Sequence, residues 1–97
     1  EKATLELEQY KSESQLELNK ARRMLQDTKN NLELTTLALN QSKEALRIRS
    51  NRFAQGLEKT TDLLLAETQY AQKQLEYYFT IFQHNSAVAY MEFLTKE

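Results

Sequence analysis

Ninety-seven residues with a single glycine and no proline leave this chain one inexpensive place to reverse direction. Glycine enters the left-handed region without a Cβ clash and proline breaks helices, so a chain poor in both keeps whatever helix it starts. A turn is therefore predicted at Gln55-Gly56-Leu57-Glu58-Lys59-Thr60, with long helices on both sides. Gly56 is expected to end the first helix, Thr60 or Thr61 to cap the second, and Asp62 to sit favourably in its first turn.

Helices need a repeating apolar face, and both arms have one. Leu18, Leu25, Leu32, Leu39 and Leu46 recur every seventh residue, followed in phase by Phe53. Three residues after the first four leucines come Ala21, Thr28, Thr35 and Ser42, so one column is large and the other small. That is a coiled-coil seam in which small side chains let a neighbour approach closely.

In the second arm the same period is met by Thr68, Leu75, Phe82 and Ala89 with Leu64, Ala71, Tyr78 and Asn85, which are expected to form its seam. A second stripe of Leu63, Tyr70, Tyr77, Ile81, Val88 and Met91 lies on the flank, and a polar column of Asp62, Gln69, Glu76 and Gln83 must face water. The first arm has a thinner flank of Met24, Leu34, Ala38, Ala45 and Ile48. Two apolar stripes per helix call for a neighbour on each side, as in a bundle or closed helical barrel.

The expected architecture is all-α, a long antiparallel coiled-coil hairpin. Its first helix covers about 1–54, its turn 55–61 and its second helix about 62–96. At 1.5 Å per residue these arms measure ~80 Å and ~54 Å. The unequal lengths leave Leu5, Leu7, Tyr10 and Leu16 beyond the reach of the second helix. Uncovered apolar residues, with helical character from the start and Met91, Phe93 and Leu94 close to the end, read as a piece of a longer protein.

Charge and chemistry exclude more than they assign. Thirteen basic and 14 acidic residues are interspersed, so no block of one sign points to nucleic acid or an anionic membrane. The chain has no cysteine, no phosphate-cradling glycine loop and no apolar run long enough to span a bilayer. His84 is the only histidine and lacks the partners that a metal site or general-base chemistry needs, so neither an enzyme nor a cofactor is expected. Arg47, Arg49 and Arg52 with Lys43 and Lys59 make the region beside the turn basic; pairing of Arg47 with Glu44 favours a solvated face over a docking surface. The aromatics Tyr77, Tyr78, Phe79 and Phe82 lack interleaved basic residues and are read as packing, not base stacking.

The stretch from Arg52 to Glu67, RFAQGLEKTTDLLLAE, resembles the helix-turn-helix tip of TolC-family outer-membrane efflux proteins. With heptads on both sides, the resemblance covers nearly the whole chain. Tyr78, Phe82, Ala87, Ala89 and Leu94 resemble the helix that closes the second of that family's two repeats. The resemblance implies a trimeric parent whose hairpins build a periplasmic α-barrel below an outer-membrane β-barrel. Its tips would meet a periplasmic adaptor protein and, through it, an inner-membrane pump. Carried onto this chain, Phe53, Gly56, Leu57, Glu58, Thr60 and Thr61 would form the adaptor-docking tip and Asp62 an aperture acid. A second aperture acid in familiar members corresponds here to Leu65, which puts ionic selectivity at that point in doubt. Two other readings stay open: the coiled-coil hairpin of a periplasmic adaptor, and a generic coiled-coil scaffold.

Overall fold

The structure, a computed structural model, describes residues 2–96. Helix α1 runs Lys2–Ala54 and α2 runs Thr60–Thr95, packed against each other as an extended hairpin of 81 × 19 × 13 Å. The long dimension matches a straight helix of 53 residues at ~1.5 Å per residue. No helix is long and apolar enough to cross a membrane among the described residues.

The turn is built by Gly56. Its φ of 75° lies in the left-handed region, the only positive φ among the described residues. This conformation lets Gly56 N–H donate to the Phe53 carbonyl at 2.9 Å and Leu57 N–H reach back to the Arg52 carbonyl at 2.8 Å. Those two bonds are the Schellman arrangement, which satisfies carbonyls that the helix end would otherwise leave open.

Helix α2 then begins two residues earlier than the composition suggested. Lys59, in extended conformation, is the residue at the cap, and it makes no side-chain capping bond. Its carbonyl instead accepts from Asp62 and Leu63 N–H, both at 3.1 Å. Thr60 and Thr61 therefore lie inside the first turn, and neither caps it. The reversal needs only residues 55–59, because the Schellman bonds already redirect the chain by Leu57. Asp62 occupies the first turn as expected, where its charge complements the helix N-terminus.

A Cβ built on Gly56 would meet nothing within 4 Å, so a side chain there costs conformation and not space. Gly56→Val is expected to lower stability by roughly 1–2 kcal/mol, the penalty of holding an L-residue left-handed. Urea unfolding of the two proteins measures it; an unchanged midpoint would mean that the turn re-forms without positive φ.

The seam on α1 is the expected one. Ala21 and Thr28 are buried, and Leu18, Leu25, Leu32, Thr35, Leu39, Ser42 and Leu46 are half-buried. Phe53, in phase but at the hairpin end, is exposed. Hydroxyls in the small column turn inward on their own helix: Thr28, Thr35 and Ser42 donate to the carbonyls of Leu25, Leu32 and Leu39 at 3.1, 3.1 and 2.9 Å. Each then presents little unsatisfied polarity to the interface.

On α2 the seam is the other stripe. Ala66, Thr80 and Ala87 are buried and Leu63, Tyr70, Tyr77, Ile81, His84, Val88, Met91 and Leu94 half-buried. The expected seam residues Leu64, Leu75, Tyr78 and Phe82 point away from α1 and are exposed. Size matching accounts for the difference. The contact between Thr28 Oγ1 and His84 Nδ1, 3.1 Å, fixes the antiparallel register. Steps of seven in opposite directions from it set Ala21 level with Met91, Thr35 with Tyr77 and Ser42 with Tyr70. In the same register, three residues back along α1 and three on along α2, Leu25, Leu32, Leu39 and Leu46 stand level with Ala87, Thr80, Lys73 and Ala66. Large meets small at every one of these levels except Leu39 with Lys73, as close packing of two helices demands.

Two polar seam residues are accommodated locally. Lys73 lies level with Leu39 and carries its ammonium outward to Glu76 at 3.3 Å, its stem covering apolar surface. The Thr28 hydroxyl has one hydrogen, and giving it to Leu25 leaves the oxygen to accept from Nδ1–H of His84. That arrangement satisfies all three groups and gives His84 a structural place in the seam.

Candidate functional site: the hairpin tip and the outer face of α2

Leu57 stands at the outermost point of the turn with 64% of its surface exposed. Its backbone is committed to the Schellman bond, so the side chain is displayed on a fixed base. Phe53, Thr60 and Thr61 are also exposed around it, whereas Asp62 is half-buried. The turn thus gathers Phe53, Leu57, Thr60 and Thr61 on an apolar and hydroxylic end surface.

Glu58 does not join that surface. Its side chain folds back onto α1 and keeps only 7% exposure, against 47% for Arg49 and 57% for Arg52. Arg49 Nη1 donates to Glu58 Oε1 at 2.6 Å. Arg52 Nε lies 3.0 Å from Oε2, close enough for charge attraction. It is not aligned to donate, and Oε2 is left buried without a hydrogen bond. Beside this clasp is a cavity of about 270 Å³ walled by Ala45, Ile48 and the three charged residues.

The basic region beside the turn is therefore divided. Arg47 bonds Glu44 through both Nε and Nη2, as its spacing suggested. Those bonds hold the Glu44 carboxyl below its ordinary range and raise the Arg47 guanidinium, on an exposed part of α1. Arg49 and Arg52 do have an acidic partner, and it belongs to the same chain. The signal was the Glu at position 58, one residue past the exposed leucine, where a turn brings it back beside the last turns of α1.

The second surface is the outer face of α2. Leu64, Leu75, Tyr78, Phe79 and Phe82 lie on the side away from α1, with Leu75 70% and Phe82 68% exposed. Opposite the seam on a two-helix hairpin a polar face is the norm. Here α2 is apolar on both sides, while Gln69, Glu76 and Gln83 form an exposed polar column between them. At the far end α2 stops while α1 continues through residues 2–17, all exposed, and Tyr10, Leu18, Phe93 and Leu94 border a cleft of about 690 Å³ there. Neither a protein family, nor a curated protein, nor a solved structure matches this chain.

Proposed function

We propose that this hairpin is a wall segment of a periplasmic helical conduit, part of a trimeric TolC-like outer-membrane efflux or secretion channel, with no enzymatic activity of its own. The observation that carries the reading is the second apolar face of α2, opposite the one used by α1. A helix lined on both sides belongs between two neighbours, and a closed ring of antiparallel hairpins supplies them. The RFAQGLEKTTDLLLAE stretch at the turn supports the same assignment. An adaptor hairpin or a free scaffold coiled coil accounts less well for this face, because two helices standing alone in water bury one seam and keep the outside polar.

In this reading the tip is the docking end for a periplasmic adaptor, with an inner-membrane pump behind it. A long coiled coil displays few side chains that are not already packed or solvated, and its turn displays them on a rigid base. Leu57 is the apolar contact, Phe53, Thr60 and Thr61 surround it, and Gly56 sets the backbone course that presents it. Asp62, in the first turn of α2, is the aperture acid, with the apolar Leu65 one turn on.

Leu57→Asp in the full-length parent is expected to abolish export while trimers still form, since the seams lie elsewhere. A photo-reactive group at Leu57 should cross-link to the adaptor's tip in the wild type. Export and cross-linking that both survive substitution of Leu57 would move docking from the tip to the side of the barrel.

A further inference from the structure

We infer that Arg49 and Arg52 form a carboxylate-recognition site at the tip, in which Glu58 is the resident occupant and to which the docking partner contributes a second acidic side chain. The inference rests on the tip-docking reading and names the chemistry of the partner. Two guanidiniums face one carboxylate, so the clasp carries an excess positive charge, and Lys59 next in sequence adds to it. Each guanidinium has five N–H groups in a fork suited to carboxylates. Among the described residues, Arg49 uses one of its groups in a hydrogen bond, and Arg52 aligns none on Glu58.

Burial distinguishes this pair from ordinary surface arginines. Glu58 lies almost wholly inside, so it anchors the two arginines, while their side chains stay about half exposed. A partner carboxylate approaching over Leu57 meets donors already held in place, which lowers the ordering cost of binding. The adjoining cavity of about 270 Å³ leaves room for the arginine forks to rotate towards an incoming acid.

The test uses the chain itself with a hexaglutamate peptide, hexaglutamine as control, and the arginine Nε–H resonances as readout. Hexaglutamate should shift Arg49 and Arg52 selectively, leaving Arg22 and Arg23, exposed and without an ion-pair partner among the described residues, little changed. Glu58→Gln removes the resident charge and should tighten binding on the order of tenfold. Arg49→Gln with Arg52→Gln should remove the selective response. Far-ultraviolet circular dichroism confirms that each variant remains helical. Equal shifts at Arg22 and Arg23, or no tightening in a folded Glu58→Gln chain, would overturn the inference. Failure of the docking reading looks different: the peptide response persists while the Leu57 cross-link to the adaptor is absent.

Discussion

The isolated hairpin is expected to self-associate in solution, and the double substitution Leu75→Glu with Phe82→Glu to return it to a monomer of unchanged helicity. Both residues are mostly exposed and lie on the α2 face turned away from α1. Together with Leu64, Tyr78, Phe79 and Phe93 they offer on the order of 700 Å² of apolar surface, taking 150–250 Å² as the full surface of an aromatic side chain. That approaches the ~800 Å² per partner of a standard stable interface. At about 25 cal/mol per Å² the gross driving force exceeds 10 kcal/mol, enough to outweigh much of the association cost. Sedimentation of the wild type should therefore depend on concentration across the micromolar to millimolar range. Glutamates on this face cannot be buried unpaired, so association should fail while the seam stays intact. Substituting Tyr77, which the flank position in the sequence suggested as the contact, should instead reduce helicity, because Tyr77 lies in the seam. A wild-type chain that stays monomeric at millimolar concentration would remove the support for the two-neighbour reading.

Ala87→Leu and Ala89→Leu, two residues apart, should differ sharply in effect. Ala87 has no exposed surface and lies level with Leu25, with Ala21 equally buried one step along the same interface. Adding three carbons there forces the helices apart or drives side chains off their rotamers, at about 1–3 kcal/mol. Ala89 is exposed on the outer face, where leucine should change stability by no more than about 0.5 kcal/mol. Urea midpoints with unchanged slopes measure both. The contrast tests the orientation of α2 directly, since periodicity alone favours Ala89 as the seam residue. Equal effects, or a larger one at Ala89, would mean that α2 is rotated about its axis relative to the arrangement described here.

How α2 could be misoriented from its sequence follows from where its apolar residues lie. On α1 the leucine column and the small column stand together on one face and the apolar flank of Met24, Leu34, Ala38, Ala45 and Ile48 is thinner, so Leu18 to Leu46 and Ala21 to Ser42 identify the seam unaided. Helix α2 carries apolar residues on its inner side and its outer side, and its aromatics Tyr78 and Phe82 are on the outer one. Hydrophobicity then cannot choose between the stripes. A finer signal was present: Leu63, Tyr70, Tyr77, His84 and Met91 are all large, while Ala66, Thr80 and Ala87, three residues later in their heptads, are small. The large column is unbroken, like the leucines of α1, while Lys73 and Leu94 interrupt the small one; Leu64, Ala71, Tyr78 and Asn85 mix sizes within one column.

By itself, the sequence determined that this protein is helical, where it turns and which face of α1 is covered, because these depend on local properties: one glycine, no proline, and an unbroken heptad of leucines on α1. The tertiary structure decided which face of α2 meets α1, that Lys59 and not a threonine stands at the start of α2, and that Glu58 clasps Arg49 and Arg52 instead of facing a partner. These are pairwise matters. The fit of a large side chain into the space over a small one, and the distance between an acid and two arginines across a turn, exist only once both helices are in register.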